Sequence, residues 1–182
     1  MNVFQPGAAG RQPVSLQEGC AMEVEVKIRG LMMDPVTNMP IVILKDIEGV
    51  SVLPIWVGIY EANAIALEIE KVTTPRPMTH DLLKNLLLGL ETQVRKVVVN
   101  ELKDDTFYAL IWLEKNGETF SVDSRPSDAL ALALRVDCPI FVEDEVLKNS
   151  KVNGAGSDKV SSDELRKWLE NLNDEDIGRY KM

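Results

Sequence analysis

The sequence has 182 residues, of which 45% are hydrophobic and 27% charged, and its 29 acidic against 20 basic side chains give a net charge of −9. These values are typical of one globular domain with short extensions, and they exclude a disordered chain, a collagen-like repeat and a small disulfide scaffold. They also argue against tight nonspecific nucleic-acid binding by the bare chain, because an acidic surface repels phosphate.

Residues 1–21 are predicted to be a flexible leader, and they lack the apolar stretch of a secretory signal. The longest apolar run, residues 107–113, is far shorter than the roughly 20 residues of a membrane-spanning helix. We therefore expect a cytoplasmic protein that does not contact a membrane. Alternating Val24, Val26 and Ile28 then predict a half-buried strand, and residues 41–44 and 50–57 predict two strands joined as a hairpin.

Two helices are predicted next. Apolar residues spaced three and four apart predict a helix of about fifteen residues after Gly58, which ends at the proline-rich segment 73–77. Thr79 is the predicted N-cap of a second helix. Five leucines are expected to form the buried face of that second helix: Leu82, Leu83, Leu86, Leu87 and Leu90.

Strand patterns return at residues 93–102, 106–113 and 119–122, with Asn116-Gly117 predicting a tight hairpin turn. A third helix is predicted from Pro126. Because its interior, residues 129–134, is apolar on every side, we expect it to be buried on more than one side or partly covered by a second subunit. A strand at 139–142 and an acidic turn toward Leu147 close a domain predicted to span residues 22–150.

A small-residue linker, 151–162, precedes a tail, 163–182, in which residues 163–172 predict a helix capped by Ser162. The apolar face of this helix is expected to dock on the same body or on a neighbour. The element order predicts an α+β fold, a single domain with a mixed, largely antiparallel sheet packed by three helices, plus the tail helix. Cys20 and Cys138 lack metal-binding spacing and indicate reduced thiols.

No familiar catalytic motif is present, and a single histidine, His80, excludes a two-histidine ribonuclease mechanism within one chain. The first of three polar groups contains Arg76, Thr79, His80 and Asp81 at a predicted helix N-terminus, where free N–H groups favour an anion. The same residues are more typical of a helix cap with a packed histidine.

The second polar group, at a predicted strand-to-helix turn, is the strongest candidate site. It contains Asp123, Ser124, Arg125, Ser127 and Asp128. Such turns commonly present ligand-binding groups, although the same side chains could simply cap the helix and pair with one another.

The third group is Glu61 with Asn63, where a first-turn glutamate either compensates the helix dipole or points inward. If Glu61 met the other acidic residues, the cluster could hold Mg²⁺ or Mn²⁺, which activate water and clamp a phosphodiester. Arg76 or Arg125 would then stabilise transition-state charge, and His80 would protonate the leaving oxygen. The predicted metal ligands are Glu61, Asp81, Asp123 and Asp128.

Three segments, LPIWVGIYEANAIALEIE, RPMTHDLLKNLL and FSVDSRPSDALALALRVDCPIFVEDEVL, resemble the bacterial and plant bifunctional nuclease domain family in order and spacing. The resemblance covers about residues 22–150. It implies an α+β domain that often self-associates and a nuclease acting on RNA and DNA. The positions that match the polar motifs of the family are Glu61, Arg76, Thr79, His80, Asp81, Asp123, Ser124, Arg125, Ser127 and Asp128.

Two hypotheses follow. In the first, the protein is a metal-assisted nuclease on RNA or single-stranded DNA; Arg76, Thr79, Ser124, Arg125 and Ser127 bind the substrate. The catalytic residues are then His80, Asp81, Asp123, Asp128 and Glu61. In the second, the protein is a noncatalytic homo-oligomeric module that binds a ligand or a protein, as its acidic charge and lone histidine favour. No organic cofactor is indicated in either case.

Overall fold

The computed structural model describes residues 22–34, 37–48 and 51–152. The predicted leader and tail helix lie outside this part of the chain. The described elements, in chain order, are β1 (Glu23–Met33), β2 (Pro40–Asp46), β3 (Val52–Trp56), α1 (Ile59–Ile69), α2 (Thr79–Gly89), β4 (Gln93–Lys103), β5 (Thr106–Lys115), β6 (Glu118–Ser124), α3 (Pro126–Val136), β7 (Ile140–Glu143) and α4 (Asp144–Val152).

The seven described strands form one sheet in the order β3-β2-β1-β7-β4-β5-β6. Every neighbouring pair is antiparallel except β4 and β7, which run parallel. The four-residue strand β7 therefore joins two antiparallel halves of the sheet, β3-β2-β1 and β4-β5-β6. This arrangement confirms the predicted α+β fold with a mixed, largely antiparallel sheet.

Two tight turns shape the second half of the sheet. Asp104 and Asp105 link β4 to β5 with φ values of 48° and 56°, and Asn116 and Gly117 link β5 to β6 with φ values of 54° and 82°. Two successive residues with positive φ are typical of the type I′ turns that match the twist of a hairpin. The turn predicted at Asn116-Gly117 is therefore confirmed, and the Asp104-Asp105 turn places Phe107 near the site described below.

Helix α3 is the most buried helix, with eight of its eleven residues buried. It packs against α1 and α2 on its outer side and against β4 and β5 on its inner side. This position confirms that the apolar segment 129–134 is buried on more than one side. In the described part of the chain, no helix has the length and apolar character needed to cross a membrane.

The orientation of α2 differs from the prediction. Of the five leucines expected to be buried, Leu87 packs against the core, and the other four are 36% to 57% exposed. The reason is that α2 directs polar residues toward α3: His80 contacts Asp128, Asp81 contacts Arg135, and Lys84 donates to the Arg135 carbonyl. The four exposed leucines are Leu82, Leu83, Leu86 and Leu90. We call them the leucine face.

Two local predictions are also corrected. Met78, not Thr79, is the N-cap of α2, and the Asp81 carboxylate accepts the Met78 N–H at 2.8 Å, because an acid at the third helical position satisfies that donor. The predicted acidic turn toward Leu147 is instead helix α4. Its two first-turn acids suit the helix dipole, and its residues Val146 and Leu147 are buried in the core.

Candidate functional site

Three helix N-termini meet around the guanidinium of Arg125. Its Nε lies 2.8 Å from Asp128 Oδ2, and its Nη1 lies 2.9 Å from Glu61 Oε1. The other oxygen of Asp128, Oδ1, lies 3.1 Å from His80 Nε2. The structure thus brings together four predicted site residues, one from α1, one from α2 and two at the start of α3. We call these four residues the Arg125 network.

Local backbone features place the members of the network. Arg125 is extended, with φ −68° and ψ 142°, because it precedes Pro126, the first residue of α3. Gly58 precedes α1, and a Cβ atom built there would lie 2.2 Å from Glu61 Oε2. Glycine at position 58 therefore leaves the space in which the Glu61 carboxylate turns back toward Arg125.

The network fixes the protonation of Asp128. Burial raises the pKa of this carboxyl, but the hydrogen bonds and charges of Arg125 and His80 outweigh burial and hold the pKa below its ordinary value. The hydrogen bond from Arg125 to Asp128 also raises the pKa of the guanidinium. Because an ionised carboxylate only accepts, His80 Nε2 must donate to it, and this leaves Nδ1 for other partners.

Arg135 organises a second, structural group of contacts. Its side chain is 4% exposed and donates to Asp81 Oδ1 at 2.7 Å. It also donates to the carbonyl oxygens of Ala131 and Ala64, at 2.8 and 3.1 Å. The hydrogen bond from the Met78 N–H is the largest cause that lowers the pKa of Asp81, and the hydrogen bond and charge of Arg135 are the next. Together they keep this pKa below its ordinary value despite partial burial. Arg135 was not among the predicted site residues, although a single cation in the otherwise apolar segment 129–136 was an available signal.

The other predicted residues do not join the Arg125 network. Ser127 is buried in the first turn of α3, and Ser124 Oγ donates to the carbonyl oxygen of Arg125 at 3.0 Å. Arg76, Thr79 and Asp123 are exposed. In residues 22–34, 37–48 and 51–152, no hydrogen bond or ion pair connects these three side chains to the network.

A cavity of about 480 Å³ opens beside the Arg125 network. Its walls come from the end of β3, the β4–β5 hairpin and the start of α3, and they include Trp56, Phe107, Arg125 and Ser127. From the sequence, Trp56 and Phe107 were predicted only to be strand residues. Strand periodicity shows which face a side chain occupies, but it does not show that distant strand ends meet.

The sequence is similar to that of known proteins. The sequence profile of the Bifunctional nuclease domain matches residues 42–154. An uncharacterized protein of Mycobacterium tuberculosis is 38% identical over 154 residues, which cover 81% of this chain and 92% of that protein. The chain belongs to the bifunctional nuclease domain family.

Plant members of the family are longer. Bifunctional nuclease 1 of Oryza sativa subsp. japonica is 30% identical over 113 residues, which cover 60% of this chain and 34% of the rice protein. Bifunctional nuclease 1 of Arabidopsis thaliana is 28% identical over 127 residues, which cover 68% of this chain and 39% of that protein. The aligned region is thus about a third of the length of these plant relatives.

The carboxylates in the described part of the chain do not gather into a metal site. Among the residues that the structure describes, no group of three or more His, Cys, Asp or Glu side chains could hold a metal ion. Glu61 and Asp128 are paired with Arg125, and Asp81 is paired with Arg135.

Cys138 is a free thiol, and burial raises its pKa to about 11.

Proposed function

We propose that this protein is a nuclease that hydrolyses phosphodiester bonds in RNA and single-stranded DNA. The observation that carries the proposal is the Arg125 network beside a cavity, in a member of a family whose plant relatives are named bifunctional nucleases. A cation, an oriented imidazole and a concave surface are the elements that acid-base phosphodiester cleavage requires.

In the proposed reaction, Arg125 binds the scissile phosphate. The guanidinium has five N–H groups, and two of them already contact Asp128 and Glu61. The side chain is 65% exposed, so the remaining N–H groups can reach a phosphate oxygen. The two carboxylates hold the guanidinium in one orientation, which spares the substrate the entropic cost of ordering it.

His80 is the proposed general acid. Asp128 binds Nε2 and so orients the ring. As water attacks phosphorus and loses a proton to solvent, the bond from phosphorus to the leaving oxygen breaks, and that oxygen takes the proton on Nδ1. Glu61, Arg125 and Asp128 together carry a charge of −1 when both acids are ionised. Protonation of His80 makes the network neutral, which favours approach of an anionic substrate.

Cleavage of short labelled RNA and single-stranded DNA oligonucleotides tests the proposal. We expect His80→Ala to lower the rate by roughly 100-fold or more, the contribution typical of general acid catalysis. Arg125→Ala should also lose activity. The matched control is Arg95→Ala, because Arg95 forms an exposed ion pair with Glu114 outside the network. Absence of cleavage by the wild-type protein, or equal rates in wild type and His80→Ala, would refute the proposal.

The roles of Arg125 and His80 do not require a metal ion. Divalent-metal assistance, predicted from the sequence, is tested separately by running the same assays with Mg²⁺, with Mn²⁺ and with EDTA.

The location of the protein in the cytoplasm also stays a prediction.

A second proposed function is a noncatalytic homo-oligomeric binding module, and the leucine face of α2 supports it. Leu82, Leu86 and Leu90 recur every four residues and therefore share one side of the helix with Leu83. Burying one leucine side chain contributes about 1.5–3 kcal/mol. Because the leucine face is about half exposed, covering it with a partner would contribute several kcal/mol to the free energy of association. A second copy of the helix offers a complementary apolar stripe.

Sedimentation velocity of the full chain tests this second function. We expect the wild type to self-associate and Leu86→Glu to be monomeric. Leu88→Glu is the matched control, because Leu88 is also exposed but lies on a different side of α2. A wild-type monomer at high concentration, or equal association in both variants, would contradict this function.

A further inference from the structure

The cavity beside Arg125 is lined by aromatic and apolar residues that binding of a phosphate alone does not require. Its volume, about 480 Å³, lies within the range of small-molecule sites, roughly 300–1,000 Å³. Two aromatic side chains, Trp56 and Phe107, lie in its wall together with apolar side chains of β3 and β4. The cavity is thus partly an aromatic surface with a cation at one side.

The orientation of Trp56 is held by the fold. The Trp56 indole Nε1–H donates to Asp34 Oδ2 at 3.3 Å, and Asp34 is only 1% exposed. Phe107 is placed by its pairing with Leu102 immediately after the tight Asp104-Asp105 turn. Both rings therefore come from ordered strand ends, and a ligand does not have to order a loop before it stacks on them.

The charge of the chain indicates how such a cavity can gain affinity. With a net charge of −9, the protein repels a polyphosphate chain, so phosphate contacts alone give weak binding. Stacking of a base on an aromatic side chain does not depend on net charge. A base can stack in this way only when it is free of a duplex, since paired bases are stacked on their neighbours.

We propose that this cavity binds one unpaired nucleobase, stacked on Trp56 or Phe107, with the adjacent phosphate at Arg125. The inference rests on the proposed nuclease function and specifies its substrate class as single strands and unpaired loops. It assigns to the two aromatic residues the role of selecting single-stranded over duplex substrate.

Binding measurements test the inference without relying on cleavage. The probe is a fluorescein-labelled DNA hexanucleotide with phosphorothioate linkages, followed by fluorescence anisotropy on the full chain. The same hexanucleotide with abasic residues at every position keeps the phosphates and removes the bases. We expect the abasic strand, and a hairpin that pairs the same six nucleotides in its stem, to bind about 5- to 150-fold more weakly, the range for loss of one stacked base.

Trp56→Leu and Phe107→Leu are tested separately, because each keeps an apolar side chain and removes one ring. At least one of them should weaken binding of the intact strand by a similar factor. Tyr108→Leu is the matched control. Tyr108 is the next residue on β5 and is exposed, and it is not among the residues that line the cavity. Equal affinity for intact and abasic strands, or a failure of both Trp56→Leu and Phe107→Leu to weaken binding more than Tyr108→Leu does, would overturn the inference.

The two proposals can fail separately. Base-dependent binding without any cleavage supports the cavity assignment and rejects the nuclease function. Cleavage with base-independent binding supports the nuclease function and rejects the cavity assignment. The comparison of intact with abasic strands uses the wild-type protein, so it does not depend on whether Phe107→Leu folds.

Discussion

His80 Nε2 lies 3.1 Å from Asp128 Oδ1, although the two residues are 48 positions apart in the chain. The contact joins the first turn of α2 to the first turn of α3. It therefore has two consequences: it orients the imidazole of the proposed general acid, and it helps to hold α2 on the body of the domain. Substitutions at either residue should affect both activity and stability.

The pH dependence of stability follows from the lowered pKa of Asp128. A carboxyl whose pKa is lower in the folded than in the unfolded state stabilises the fold above its unfolded pKa, here near 3.8, and this contribution disappears as the pH falls through the folded pKa. We expect Asp128→Asn to lower the free energy of unfolding by about 1–2 kcal/mol at pH 7. The difference from wild type should shrink as the pH falls below about 4.

Urea unfolding at pH 7, 5, 4 and 3 measures this effect. Asp123→Asn is the control, because Asp123 is exposed and makes no contact with the Arg125 network, and it should change stability by less than about 0.5 kcal/mol. A destabilisation by Asp128→Asn that stays the same down to pH 3 would contradict the assignment of this effect to the ionised carboxylate.

Asp81→Asn should be more costly than Asp128→Asn. The substitution keeps an oxygen for the Met78 N–H but removes the charge opposite Arg135, whose side chain is 4% exposed. A buried cation without its partner costs about 2–4 kcal/mol of folding free energy. Adding Arg135→Met should recover part of this loss because it removes the unpaired charge. Thermal and urea unfolding of the two single variants and the double variant provide the measurement; strict additivity would disprove the coupling.

The leucine face shows why the orientation of α2 could not be predicted from the sequence. The order of strands and the hairpin at Asn116-Gly117 could be predicted because alternation and turn chemistry are local. The orientation of α2 could not, because the apolar spacing of its leucines normally indicates the buried side. Here His80, Asp81 and Lys84 are satisfied by partners on α3, more than forty residues away. A pattern within one helix contains no information about those partners.

The site was predictable in part for the same reason. Glu61, His80, Arg125 and Asp128 were recognised as polar groups at predicted helix starts. Which of them meet depends on how α1, α2 and α3 pack, and the packing leaves Arg76 and Asp123 outside the network. The insertion of β7 between β1 and β4 was also hidden, since a strand of four residues has too little pattern to specify its neighbours.

The Arg125 network makes a prediction about metal ions. In the wild-type protein, Arg125 is paired with the two acids that a divalent cation would need, Glu61 and Asp128. Arg125→Ala should therefore strengthen Mn²⁺ binding by roughly tenfold or more. The substitution removes a positive charge a few ångströms from two carboxylates, which then attract Mn²⁺ more strongly. Arg95→Ala leaves only the single carboxylate of Glu114 and is the control. Electron paramagnetic resonance of free Mn²⁺ reports the affinity; tight stoichiometric binding by the wild type would instead support the metal site predicted from the sequence.

The salt dependence of oligonucleotide binding separates phosphate contacts from base contacts. For single strands, the logarithm of the binding constant falls with the logarithm of salt concentration with a slope of about −0.7 per neutralised phosphate. Arg125 is the basic residue among those that line the cavity, so we expect a slope of about −0.7 to −1.4 for a hexanucleotide, equivalent to one or two phosphates.

Arg125→Ala should make the slope shallower by about 0.7, whereas Phe107→Leu should lower affinity equally at every salt concentration. A slope near −3.5, which corresponds to all five linkages of the hexanucleotide, would show that the strand binds along an extended basic surface and not through one nucleotide in the cavity.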